Sequence, residues 1–148
     1  MKDSGGPYVA VAVLCENVLE EKDGVLSLLR VVDRWIITAQ GPDAPDQLKP
    51  QQIEFRLVLG LKAGRAKGRH SLVIKLEQPS GEFLPTREVS VLFEAEDRGV
   101  NFMAQVFMLA AQEGVYWFHV FLDGDQFLTK VPFRVVYQPI RTAAPPTA

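Results

Sequence analysis

Few side chains in this sequence could combine into chemistry. Covalent catalysis needs a nucleophile, a base and a group that orients the base. Cys15 is the sole cysteine, and His70 and His119 are the two histidines that could serve it. No motif links the three. Cys15 lies inside the apolar run that starts at Tyr8, so a buried, inert thiol is expected. Carboxylates crowd two turns, with Glu16, Glu20, Glu21 and Asp23 in one and Asp123 and Asp125 around Gly124 in the other. Calcium takes six or more oxygen ligands, and neither group follows a known loop pattern. Solvated turn carboxylates are expected in both places, with no metal, no cofactor and no enzymatic activity.

The strongest electrostatic feature runs from Lys62 to His70. Lys62, Arg65, Lys67 and Arg69 place four permanent charges beside His70 in a chain of net charge −2. Glycines 64 and 68 would let backbone N–H groups turn toward an anion. This makes an anion or polyanion site one functional candidate, against the plainer reading of a solvated hairpin. Aromatic residues for base stacking are missing from the stretch. The overall charge gives no case for nucleic acid or an anionic membrane.

The most informative feature is apolarity on both faces of two late segments. In Val115 to Leu122, Tyr116, Phe118, Val120 and Leu122 share one face, and Trp117, His119 and Phe121 share the other. In Asn101 to Ala111, Phe102, Val106 and Met108 oppose Met103, Phe107 and Leu109. One face of a sandwich sheet normally meets water. The second apolar face therefore needs a cover. The long connection Thr38 to Gln52 could supply it, or a protein partner or second copy could, since Trp, Phe and Met are enriched at interfaces. A carbohydrate platform on Trp117 is a third option. The candidate interface is thus Met103, Phe107, Leu109, Trp117, His119 and Phe121.

The elements that position these residues read as strands. Ile53, Phe55, Leu57, Leu59 and Leu61 alternate with Glu54, Arg56 and Gly60, and Val58 is the single apolar exception. That is the pattern of a half-buried strand. Similar runs cover Tyr8 to Val18, Val25 to Ile37, His70 to Gln78, Glu82 to Ala95, Val115 to Leu122 and Gln126 to Tyr137. Asn101 to Ala111 has helical spacing as well, but its place between turns favours a strand. Pro85 marks an edge or a bulge. Asp23-Gly24 predicts a type I′ hairpin turn. Glu96 to Gly99 and Asp123-Gly124-Asp125 are further turns. About eight strands without crossover helices define an all-β, mostly antiparallel two-sheet sandwich, with the connection 38–52 crossing between sheets. Residues 7–138 form the domain, between a polar tail 1–6 and a Pro/Ala-rich tail 139–148, both expected to be disordered.

Two stretches resemble known domains. Cys15-Glu16, Glu20 to Gly24, Val25-Leu26-Ser27-Leu28 and Asp33-Arg34 are similar to the opening of an uncharacterised bacterial family of small β-rich domains. Gly114-Val115-Tyr116-Trp117-Phe118, Asp123-Gly124 and Val131-Pro132-Phe133-Arg134-Val135 look like the closing hairpin of immunoglobulin-like sandwiches. Trp35 departs from the family pattern, where an aliphatic residue is expected. The resemblance implies an immunoglobulin-like fold and brings no functional residues. The apolar run near the N-terminus stops at Glu16 without a cleavage site, so a strand is expected there rather than a signal sequence. A lone cysteine fits a reducing compartment, hence the cytoplasm. The functional expectation is a non-enzymatic module for protein interaction or self-association around Trp117 and Phe121, with anion binding by residues 62–70 as the alternative.

Overall fold

The computed structural model describes residues 5–94 and 98–141. They form nine strands: β1 Tyr8–Glu20, β2 Leu26–Val32, β3 Arg34–Gln40, β4 Gln51–Lys62, β5 Lys67–Glu77, β6 Arg87–Glu94, β7 Gly99–Ala110, β8 Gly114–Leu122 and β9 Gln126–Ile140. One sheet has the order β2-β1-β4-β7 and the other β3-β9-β8-β5-β6. Every pairing is antiparallel except β3 with β9, which is parallel. No helix among the described residues is long and apolar enough to cross a membrane.

The two-residue period places the core between the sheets. Ile53, Phe55, Leu57, Leu59 and Leu61 of β4 are buried against Tyr116, Phe118, Val120 and Leu122 of β8 and Val131, Phe133 and Val135 of β9. Phe55 reaches across from the first sheet to three rings of the second. Its centroid lies 6.0 Å from Phe118, 5.2 Å from Phe133 and 5.7 Å from Trp35. Trp35 therefore faces the core, half-buried against Phe55. The outlying Val58 points away from the core but is buried all the same. Beside it, the tip of the β1–β2 hairpin, Asp23 to Leu28, shares a shallow pocket with Val11, Val58, Gly60 and Asn101. The hairpin thus leans over the outer side of its own sheet.

The strand order is that of an immunoglobulin sandwich. β1, β4 and β7 take the places of strands A, B and E, and β9, β8, β5 and β6 those of G, F, C and C′. Tyr116 reproduces the tyrosine corner of such domains: its hydroxyl donates to the Gln112 carbonyl at 2.9 Å and accepts from the Gln112 N–H at 3.3 Å. The corner tyrosine sits two residues before a core cysteine in antibody domains. Phe118 occupies that position here, facing Phe55. Strand D has no counterpart among the described residues. Among the described strands β7 pairs with β4 alone.

Several sequence expectations need correction. Val25 to Ile37 is two strands in different sheets, with the switch at Asp33. Both halves are apolar and β-branched, and neither Gly nor Pro interrupts them. The chain crosses back through the connection between β3 and β4, so a crossing there is found, but it is the second. The β1–β2 turn is a type I turn closed by Gly24 at φ +83°, since Asp23 is not among the positive-φ residues and Gly24 N–H donates to Glu21 O at 2.9 Å. A three-residue bulged loop replaces the type I′ turn. Asp123-Gly124, with φ values of 54° and 86°, does have the mirror-image form. The segment 82–95 is shorter than expected, because Pro85 delays β6 until Arg87. β6 is an edge strand, in line with that proline. Gly5 and Gly6, expected in a tail, pack on the turn after β4: Gly5 O accepts from Arg65 N–H at 2.6 Å. Pro139 and Ile140 complete β9, and Arg141 donates to Ala44 O at 3.1 Å. The rest of both expected tails, and residues 95–97 of the expected strand end and turn, lie outside the described residues.

The tyrosine corner yields a stability test. Tyr116→Phe keeps the ring but removes the donor to Gln112, so unfolding free energy should fall by about 1–3 kcal/mol. Urea denaturation should show a lower midpoint with an unchanged slope. An unshifted midpoint would mean the corner contributes nothing.

Candidate interaction surfaces

The sandwich has two outer faces, and the expected interface residues are divided between them. Trp117, His119 and Phe121 project from β8, a central strand of the five-stranded sheet. Met103, Phe107 and Leu109 project from β7, at the edge of the four-stranded sheet, on the opposite side of the molecule. They cannot form one surface. Alternation along a strand shows which residues share a face, but not which sheet the strand joins.

The β8 stripe is largely covered by its neighbours. Lys130 of β9 places its Nζ 4.4 Å from the Trp117 ring centre, and Lys75 of β5 places its own 5.4 Å from Phe121. Such cation–π contacts contribute about 0.5–1 kcal/mol each at exposed sites. Phe127 meets Phe121 edge-on at 5.9 Å, and Phe83 lies 5.7 Å from His119, whose Nε2 is 2.9 Å from Glu77 Oε1. Trp117 and Phe121 end half-buried. The connection between β3 and β4 plays no part. It packs at the end of the sandwich, where Tyr137 donates to Pro45 O at 2.6 Å and Ala44 is buried. The internal cover expected from residues 38–52 is thus replaced by lysine stems and aromatic rings from adjacent elements.

The β7 side chains have no such cover. Met103, Phe107 and Leu109 are 46%, 57% and 58% exposed. Beside them the sheets part, and a cleft of about 620 Å³ opens between β6 and β7. Its floor is the core itself, Leu57, Ile74, Leu76 and Phe118, and its rim includes Leu84, Pro85 and Arg87. Arg87 reaches over from β6 and donates to the backbone carbonyl of Gln105 at 3.1 Å. The Gln105 side chain donates to Glu54 at 2.6 Å. The β6 side of this cleft was missing from the sequence reading. The brevity of the link from Glu94 to Gly99, too short for another strand, is the signal that could have revealed it.

The basic residues do not converge. Lys62 points from β4 to the outer side of the four-stranded sheet, while Lys67 and Arg69 point from β5 to the outer side of the other. Lys67 stands opposite Glu94. The Arg65 stem lies against Gly5. His70 is held at the rim, its Nδ1 2.7 Å from Asp123 Oδ2 and its ring 5.6 Å from Phe93. Asp123 also accepts from Ser71 N–H at 3.0 Å, which ties the β8–β9 turn to β5.

Cys15 is fully buried, and burial pushes its thiol upward, partly offset by Arg56. The burial expected of Cys15 is found, and a raised thiol disfavours the thiolate, which is the reactive form. Besides Asp123, two of the turn carboxylates have structural partners. Glu16 pairs with Arg30 at 2.7 Å, and Asp23 accepts from Val25 N–H at 3.2 Å. No group of three or more potential metal ligands is found among the described residues.

The structure is similar to that of an immunoglobulin-like protein from Pseudomonas aeruginosa, with a TM-score of 0.42 and 14% identity, over 90% of this chain and 99% of that one. Neither a family model nor a curated protein matches the chain.

The His70–Asp123 pair has a defined pH signature. The hydrogen bond to Asp123 raises the His70 pKa above 6.5, and the same bond lowers that of Asp123 below 3.8. A raised histidine stabilises fully below its unfolded value and loses the effect as pH rises through its folded one. A lowered aspartate stabilises above its unfolded value and loses the effect as pH falls through its folded one. The pair therefore contributes most between about 3.8 and 6.5. In NMR titration the His70 midpoint should exceed 6.5 in the wild type and drop in Asp123→Asn. Equal midpoints in the two proteins would show that the contact is not formed in solution.

Proposed function

We propose that this chain is a non-enzymatic interaction module that docks on protein through the apolar surface of β7 and the cleft beside it. The observation that carries this reading is the exposure of Met103, Phe107 and Leu109 together, in contrast to the covered stripe on β8. Contiguous exposed apolar groups beside an open cleft mark interaction sites on proteins of this size. The anion-binding alternative draws no support from the dispersed basic residues.

Magnitudes narrow what such a partner must do. Completing the burial of three half-exposed apolar side chains yields roughly 2–5 kcal/mol. Association costs about 4–15 kcal/mol in lost translational and rotational freedom. Side-chain burial on β7 alone does not meet that cost. A stable partner must also fill the cleft or use the backbone.

Photo-crosslinking in the native host cell tests the reading. Benzoylphenylalanine in place of Phe107 should give a discrete adduct of higher mass. The same probe in place of Phe127, which is 55% exposed on the other side of the molecule, should give none. Absence of any adduct at 107, or equal adducts at both positions, would overturn the assignment of the surface.

A further inference from the structure

The backbone edge of β7 is the largest unused hydrogen-bonding surface among the described strands, and its sequence indicates what it takes. We propose that the occupant is a second copy of the chain, whose own β7 adds antiparallel to this edge about a two-fold axis at Gln105. The inference rests on the docking surface proposed above and specifies its partner.

β7 pairs with β4 from Gly99 to Ala110 without interruption, and among the described residues no strand lies on its other side, where strand D of an immunoglobulin sandwich would lie. In an antiparallel ladder a residue's N–H and C=O point to the same side. Arg87 reaches the Gln105 carbonyl from β6, so that carbonyl points away from β4. The backbone groups of Asn101, Met103, Gln105, Phe107 and Leu109 therefore all point outward along the free edge. A carbonyl has two acceptor positions, so Arg87 and a new strand can share the one at Gln105.

The sequence then selects the register. Residues 102–108 read Phe-Met-Ala-Gln-Val-Phe-Met. Folded about Gln105, the segment opposes Met103 to Phe107 of the second copy and Phe102 to Met108 of the second copy. Ala104 opposes Val106, and Gln105 meets itself. Each phenylalanine thus faces a methionine, a favourable sulfur–aromatic pairing. Gln105 meets Gln105 as a hydrogen-bonded pair, which the outward direction of its backbone requires. The strand itself carries no charged residue from Gly99 to Ala110, and the charges brought near the axis are the two Arg87 side chains, which reach in from β6. The product is a continuous eight-stranded sheet in which the two β6–β7 clefts face one another. An isologous contact of this kind closes on itself and stops at the dimer.

Disulfide trapping in the full chain tests register and partner together. In a hydrogen-bonded antiparallel pair the facing Cα atoms are about 5.5 Å apart, within the range that a disulfide spans. Gln105→Cys should therefore oxidise to a covalent dimer. Met103→Cys should not, because its two copies lie about 14 Å apart at that register. A mixture of Met103→Cys and Phe107→Cys chains should cross-link. The wild type, with Cys15 buried, is the blank. Light scattering should give twice 16.5 kDa for the wild type, and Phe107→Lys should raise the dissociation constant by about tenfold or more. A dimer that does not trap through Gln105→Cys would overturn the edge pairing. A monomer whose position 107 still captures a different protein would overturn the second copy and leave the docking surface standing. A monomer with no adduct at 107 would remove both.

Discussion

The contact on which the sandwich depends is that of Phe55 with the rings of the opposite sheet. The chain has one cysteine, so no disulfide can join the sheets. Phe118 stands two residues after the corner tyrosine, where an antibody domain has its second core cysteine, and meets Phe55 edge-on. Phe133 touches both, 5.2 Å from Phe55 and 5.8 Å from Phe118, and stacks on Tyr116 at 4.9 Å. Trp35 closes the cluster from β3. One side chain of β4 thereby fixes the positions of β3, β8 and β9. Aromatic pairs of this geometry contribute about 0.5–1.5 kcal/mol each beyond their burial. A buried thiol pair would link two strands, whereas the ring cluster links four.

The two sides of the sandwich differ. On the side of β2 and β3 the chain itself crosses between the sheets at Asp33, and Arg134 N–H donates to the Asp33 carbonyl at 3.0 Å. That side is closed by backbone. On the side of β6 and β7 strand D has no counterpart among the described residues, and a cleft opens between the sheets, lined by core residues such as Ile74, Leu76 and Phe118. Position within a sheet then decides how outward apolar residues are covered. β8 has a neighbour on each flank, and Lys75 and Lys130 fold over it from both. β7 has β4 alone, so Met103, Phe107 and Leu109 receive cover from one side.

Strand periodicity and turn chemistry were legible in the residues. The alternation from Ile53 to Leu61, the Asp123-Gly124 turn and the interruption at Pro85 all appear where the sequence places them. The two apolar faces of β7 and β8 were legible too. Three features were not. The sheet switch at Asp33 leaves no breaker residue behind. The parallel pairing of β3 with β9 joins segments about a hundred residues apart, which local pattern does not encode. The assignment of Trp117 and Phe107 to opposite sides follows from strand order alone, a long-range property that alternation does not carry. The basic stretch 62–70 misleads for the same reason. Nearness in sequence becomes divergence in space when a turn sends its two arms into different sheets.

The four sheet edges are protected unequally. Exposed edges invite pairing with other chains, and proteins blunt them with charges, prolines, bulges or short strands. β2 carries Arg30 in a left-handed conformation at φ 57°, which breaks its regular edge. β3 is short and opens with Arg34. β6 follows Pro85 and bears Arg87, Glu88 and Glu94. β7 is long and regular, without charge, proline or bulge along its length. Its one guard is the Arg87 side chain that reaches across from β6, a flexible arm rather than a feature of the strand. Three edges protected and one left bare is a poor arrangement for a protein that stays free, because the bare edge is also the most apolar. It is coherent for a protein whose fourth edge is covered in use. Arg87 then guards the unpaired edge, satisfying one carbonyl while leaving its second acceptor position and the neighbouring N–H groups open to an incoming strand.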